Sequence, residues 1–439
     1  MDLSNTTFHG GNPTWANACV GENGFPEYWE YAKGFSQAAT ILIDTALQRR
    51  GLEHSVDELV YPVCFNMRHS VELRLKGAIS ELITIQDCRN ISLNFDLAGS
   101  HDIGNIWKFF VDNSRMVDDR YEPIIKQLDK KISDIAQLDP TGQTFRYPYN
   151  TESQKHLVDV GVINFFVLKG SFSFLESAMD KLHRLNKYLC EEYKAGTFTK
   201  KLSRKNIYEL ATYLPPRHTW SDAPFATTRV MLKAKYNIGS KELSEAINII
   251  KAHYEIAPLI EISIPLLGVN DEDIDDFFCH WFKQNEIPAD TDLIDLNGHI
   301  GISTTAIIEY IEKQSEIQNE VWDTVSQNLT PERLAGLTSL FNFAYYLGFS
   351  ELYEQMFKSD LQEAKTIFNN SKIEVKSKYF HISEKTNAIE HILQSLYFLR
   401  KNELANRLVK KYSIESKFSW LDNARNRSLF KKPDYCGYT

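Results

Sequence analysis

Four residues have side chains suited to acid–base work on a phosphate ester. Arg68, His69 and Glu72 fall in the stretch Tyr61-Pro62-Val63-Cys64-Phe65-Asn66-Met67-Arg68-His69-Ser70-Val71-Glu72-Leu73-Arg74-Leu75-Lys76, and His101 follows in Gly99-Ser100-His101-Asp102-Ile103. A histidine and a glutamate can act as general base and acid, while an arginine stabilises a phosphorane-like charge. At about 100° per residue, Cys64, Met67, Val71, Leu75, Ala78 and Leu82 form one apolar stripe of a helix. Arg68 lies roughly 60° from the stripe's centre, Glu72 about 100° and Lys76 about 140°. Arg68 is therefore expected at the rim of the buried face, where an unpaired charge is costly. Lys76 is expected in a surface ion ladder, and Glu72, four residues from each, can pair with either. His69 points away from the stripe with Leu73, toward another element or water.

Further candidates stand alone. Arg146 sits in Phe145-Arg146-Tyr147-Pro148, and Arg217, His218 and Trp220 are presented on the diproline of Leu214-Pro215-Pro216. Both loops read as ligand-binding candidates. The acids Asp271, Glu272, Asp273, Asp275 and Asp276 suit a helix start, where they complement its dipole, better than a cation site. Cys279-His280 has no metal-spaced partner, so no metal and no cofactor are expected. The chain has no Gly-x-x-x-x-Gly-Lys-[Ser/Thr], no Gly-x-Ser-x-Gly and no His-Glu-x-x-His, which leaves ATPase, serine hydrolase and zincin readings without support.

The elements that must hold these groups read as helices throughout. Residues 1–25 are turn-rich in Gly and Asn. Helical periodicity then predicts helices at 26–50, 55–88, 101–113, 119–137 and 154–195, and again at 203–214, 224–237, 240–256, 271–285, 303–328, 331–347, 349–368, 384–399 and 402–412. Only Ile373–Phe380 alternates as a short strand or extended loop would. The sequence thus predicts an all-α protein with a helical bundle at 26–196 and a second helical region at 197–439. Tyr345–Leu352 is echoed at Tyr397–Leu404, 52 residues later, which suggests a hairpin repeat across 331–412.

The 439 residues carry a formal charge of −9, which argues against a protein dedicated to coating nucleic acid. The tail at 400–439 holds ten Lys or Arg against four acids, a local +6 that would suit RNA, DNA or an acidic partner. Six scattered cysteines without a Cys-x-x-Cys pair disfavour a disulfide framework and suit a reducing, cytoplasmic setting. Met1–Asn5 does not open a secretory signal, and no apolar run reaches the roughly 18 residues of a membrane span.

The helix with Glu72-Leu73-Arg74-Leu75-Lys76-Gly77-Ala78, followed by a loop and His101-Asp102-Ile103, resembles the HEPN superfamily of small helical domains in prokaryotic toxin–antitoxin, CRISPR-associated and phage-defence systems. More narrowly it is similar to HEPN-like proteins with an Arg-His-x-x-Glu-Leu-x-Leu-Lys helix and a Phe-Arg-Tyr-Pro loop, matched here by Arg68–Lys76 and Phe145–Pro148. The resemblance spans about residues 26–190. It implies a stress or defence role, an RNA or protein partner, and a homodimer or hetero-complex. The ribonuclease members' Arg-x4–6-His on the last core helix is missing from 101–195; Arg49 and His54 have that spacing by chance, across Gly51. Two functions follow as expectations. One is RNA cleavage by a different constellation, Arg68, His69, Glu72 and His101. The other is a non-catalytic HEPN-like binding or regulatory subunit that docks its partner through the helical C-terminal half.

Overall fold

The structure is a computed structural model describing residues 6–48, 50, 52–150, 152–285 and 304–438. Arg49 and Gly51 lie outside the described residues. The described chain is all-helical, with sixteen α-helices, no strand and one isolated bridge between Tyr149 and Lys155. It divides into two compact units, Met1–Lys194 and Ala195–Thr439. No described helix is long and apolar enough to cross a membrane.

The first unit holds α1 (Tyr28–Gln48), α2 (Val56–Cys88), α3 (Ile103–Val117), α4 (Glu122–Leu138) and α5 (Phe165–Ala195). The stripe Cys64, Met67, Val71, Leu75, Ala78 and Leu82 is buried along its whole length. Helix α1 returns antiparallel to α2, so that Tyr28 at its start abuts Gly77. Helix α5 runs beside α2 and donates the Asn186 amide to Glu81 at 2.8 Å. Helices α3 and α4 form a hairpin pinned by the Trp107 indole on Asp129 at 2.8 Å. Asp102 caps α3 by accepting from the Asn105 amide at 2.8 Å. The helix expected from 154 starts at Phe165 instead, because Asn164 takes the amides of Phe166 and Val167 at 2.9 and 3.2 Å and so fixes the N-terminus there.

The second unit holds α6 (Arg204–Tyr213), α7 (Ala223–Lys235), α8 (Ser240–Ala252), α9 (Asp271–Gln284), α10 (Thr304–Val325), α11 (Pro331–Phe343), α12 (Glu351–Asn370), α13 (Lys372–Ser383), α14 (Ala388–Phe398), α15 (Asn402–Lys411) and α16 (Leu421–Arg425). The strand expected over Ile373–Phe380 is helix α13. Ile373, which the alternation would bury, is 82% exposed, while Val375, Tyr379 and Ile382 share a buried helical face. Ser371 caps that helix through the Glu374 amide at 3.2 Å. In the two echoed segments α11 and α14 pack together, with the Ser395 hydroxyl on the Leu340 carbonyl at 2.6 Å. Their second helices differ, α12 having 20 residues and α15 ten.

Gly268 (φ +72°) and Gly336 let the chain before α9 cross α11 with backbone nearly touching backbone. A Cβ on Gly268 would collide with the Glu332 carbonyl, and one on Gly336 would stand 2.6 Å from the Leu267 carbonyl. Gly268→Ala is therefore expected to cost about 2 kcal/mol or more, combining left-handed strain with a clash that no side-chain rotation relieves. Urea unfolding of the full chain measures it.

Candidate functional site

Glu72 is the hub of a polar network in the first unit. Its carboxylate is 4% exposed and takes the Arg68 guanidinium on one oxygen and, on the other, the Lys76 ammonium at 3.0 Å and His101 Nδ1 at 3.0 Å. His69 Nδ1 lies 3.8 Å away, too far for a hydrogen bond but close enough to act electrostatically. Burial opposes ionisation, yet His69, Lys76, Arg68 and His101 together outweigh it and hold Glu72 well below the usual carboxylate range. The pairing expected between Arg68 and Glu72 is present.

Arg68 does more than pair. Its Nε donates to the Asp139 carbonyl at 3.2 Å and its Nη2 to the carbonyls of His101 and Pro140 at 2.5 and 2.7 Å. Gly142 (φ +78°) closes the turn against the guanidinium, where a Cβ would stand 3.3 Å from Cζ. Arg68 thus ties the loop after α4 and the residue before α3 onto α2. Pro140 receives the Ile103 amide on the same carbonyl at 2.9 Å. This clamp was not visible in the sequence beyond the turn signature Asp139-Pro140-Thr141-Gly142.

Lys76 corrects the helical-wheel expectation. It is 4% exposed, not solvated, because α2 is packed on several faces and buries Ser70, Arg74 and Gln86 as well as its apolar stripe. A single stripe marks one neighbour of a central helix and is silent about the rest.

His101 is held twice, its carbonyl by Arg68 and its ring by Glu72, yet its side chain is 60% exposed. A carboxylate only accepts, so Nδ1 carries the proton of this contact, and Nε2 is the ring nitrogen not held by Glu72. His69 stacks on Phe65 at 5.7 Å and meets Phe35 edge-on at 4.5 Å, with 30% of its side chain exposed. Arg146, exposed, lies over the other partner of that stack, with Cζ 5.5 Å from the Phe65 ring and 5.3 Å from Tyr147. Arg68, His69, Glu72, His101 and Arg146 are therefore brought into one neighbourhood. Cys64, on the same helix, is pushed up to about 12 by burial and by Asp139, which removes it as a nucleophile at neutral pH.

Arg217, His218 and Trp220 belong to the second unit. Arg217 covers Trp220 at 4.8 Å, the indole N–H donates to the Pro215 carbonyl at 2.9 Å, and the ring stacks on Phe225 at 4.5 Å. His218 faces Glu261 at 3.4 Å. The loop stabilises itself, and its indole has little left to offer a ligand. The acidic start of α9 and the basic tail also find each other. Arg407 meets Asp271 at 2.7 Å, Lys411 meets Asp275, and Arg333 meets Asp273 and Asp276 at 3.2 and 3.1 Å. Two of the ten tail cations, Arg407 and Lys411, are paired with the start of α9 in this way, while Arg333 comes from α11.

A buried network in the second unit went unseen in the sequence. Arg204 bridges Glu255 at 2.8 Å and Glu351, with Lys432 3.4 Å from Glu255 and His253 3.1 Å from Glu351. Ligand atoms of His253, Glu255 and Glu351 lie within 4.8 Å of one another, but a metal ion there would have to displace a guanidinium already bound to both carboxylates. Its members lie 51 and 147 residues from Arg204 along the chain, beyond any local pattern.

Comparison with family models, with curated proteins and with solved structures gives no match to the chain.

Proposed function

We propose that the first unit is an RNA-cleaving HEPN-like domain of a prokaryotic stress or phage-defence system, working without a metal. One observation carries the reading: His101, on the surface, has its Nδ1 bound to the buried carboxylate of Glu72, leaving Nε2 as a base oriented by an acid. In this mechanism Nε2 takes the proton of a ribose 2′-hydroxyl, and the 2′-oxygen bonds to the adjacent phosphorus. The bond from phosphorus to the 5′-oxygen breaks, and the leaving oxygen takes a proton from protonated His69. The products are a 2′,3′-cyclic phosphate and a 5′-hydroxyl. Arg146 is suited to hold the phosphate, while Arg68 and Lys76 keep Glu72 ionised.

The test is cleavage of end-labelled single-stranded RNA by the full chain in the presence of EDTA. His101→Ala is expected to lower the rate by about 100-fold or more while the chain stays folded, because Arg68 and Lys76 still hold Glu72. Undiminished cleavage by that variant rejects the site. Absence of cleavage by the wild type, with no growth arrest on induction, favours the second reading, a non-catalytic HEPN-like binding or regulatory subunit. Arg68 supports that reading, since all three of its guanidinium nitrogens donate to acceptors within the unit.

A further inference from the structure

A separate concavity opens in the first unit between the start of α1, the middle of α2 and α5. It encloses about 520 Å³, within the range of small-molecule sites. Its walls are largely apolar, from Leu73, Met179 and Leu182, with the rings of Tyr28 and Tyr31 on the α1 side. Trp29 is a fixed wall: its indole lies parallel to His183 at 3.9 Å and also carries Arg74 at 4.6 Å. Gly77 lets α1 approach here, since a Cβ would stand 3.2 Å from Tyr28 Cβ.

The charges in the wall decide what fits. Apart from His183, the ionisable acids and bases lining it are Glu27, Glu81 and Arg74, besides the two tyrosines. The charge of Arg74 is already answered twice outside the lining, by Asp180 at 2.5 Å and Glu176 at 3.3 Å. Glu81 receives the Asn186 amide at 2.8 Å and His183 Nδ1 at 3.3 Å, and among the described residues no lysine or arginine pairs with it. Glu27 adds a second carboxylate at the rim. Aromatic faces and carboxylates around an apolar chamber favour an organic cation over an anion or a neutral molecule.

We infer that this concavity is a binding site for a small organic amine with an apolar or aromatic body, its ammonium group directed to Glu81 and its body against Tyr31 and the aliphatic floor. The inference does not depend on RNA cleavage, because the cavity is lined by residues other than Arg68, His69, Glu72 and His101.

Three probes of one shape test it: tryptamine, tryptophol and indole-3-acetate, titrated into the full chain by calorimetry at about pH 8, where the ammonium of tryptamine is retained. Tryptamine is expected to bind at least tenfold more tightly than tryptophol, with indole-3-acetate weakest. Glu81→Gln should bring tryptamine down to the level of tryptophol and leave tryptophol unchanged. Tyr31→Ala, at a ring 54% exposed and outside the core, should weaken both. Equal affinity for the three probes, no saturable binding of tryptamine, or a Glu81→Gln variant that keeps the preference in a folded chain would each overturn the assignment.

Discussion

Replacing Glu72 by alanine is expected to cost the first unit about 3–5 kcal/mol, more than any exposed ion pair accounts for. The reason lies in what remains. Arg68 is 3% exposed and the Lys76 side chain 5%, so one substitution leaves two cations in a space that excludes water. Arg68 cannot reach solvent by a simple rotation, because it is fixed by the carbonyls of His101, Asp139 and Pro140. For a unit of this size the loss corresponds to a fall in melting temperature of roughly 6–20 °C. Arg68→Ala is expected to be comparably harmful, since it releases three carbonyls and the loop they anchor. The double variant should cost less than the two single changes added, by roughly 0.5–3 kcal/mol, because Arg68 is then no longer buried without its carboxylate. Urea unfolding of the full chain, followed by tryptophan fluorescence, measures all three. Strict additivity would show that the pair is not coupled and that Arg68 acts through the loop carbonyls alone.

That pair was legible because its logic is local. Arg68 and Glu72 are one helical turn apart, and the apolar stripe beside them marks a buried face of α2. The pattern started the third helix at 101, with His101 inside it, whereas the Asp102 cap starts α3 at Ile103 and leaves His101 outside. What could not be read was the third dimension around α2. Lys76 looked solvated because a wheel shows one buried face, whereas α2 is enclosed by neighbours whose contact residues lie about 30 to 110 positions away. The alternation at Ile373–Phe380 misled for the opposite reason. A short run of mixed apolar and charged residues fits both periods, and the deciding signal was the cap at Ser371 and not the pattern. The basic tail and the acidic start of α9 looked like two separate surfaces, because the sequence separates Asp271 from Arg407 by 136 positions. Opposite charges that distant announce themselves as partners only once the fold is known.

The buried network of the second unit makes the strongest prediction about pH. In the wild type, burial works against ionisation of Glu255, but Lys432, Arg204 and His253 outweigh it and hold this group at about 2. Glu351, opposed by burial and favoured by Arg204, His253 and Thr197, is likewise held well below its ordinary value. A carboxyl with a depressed folded-state pKa contributes stability that is complete above its unfolded value, near 4.3, and is lost as pH falls toward the folded value. For Glu255 alone that contribution is on the order of 3 kcal/mol. The wild-type unit should therefore weaken steeply between about pH 4.5 and 2. Arg204→Ala should reverse the trend over a different window. It removes the cation shared by Glu255 and Glu351, leaving Lys432 for the first and only His253 and Thr197 for the second. At pH 7 the stranded charge is expected to cost about 3–5 kcal/mol. As pH falls from 7 toward 5, protonation of a carboxyl that has lost Arg204 relieves it. The gap between wild type and variant should accordingly narrow on acidification, even while the wild type stays near its maximum. Urea midpoints for both proteins at pH 7, 6, 5 and 4 measure the effect. A gap that stays constant across that range would mean that Arg204 stabilises the unit through packing, against Phe349 at 5.0 Å, and not through the two carboxylates it joins.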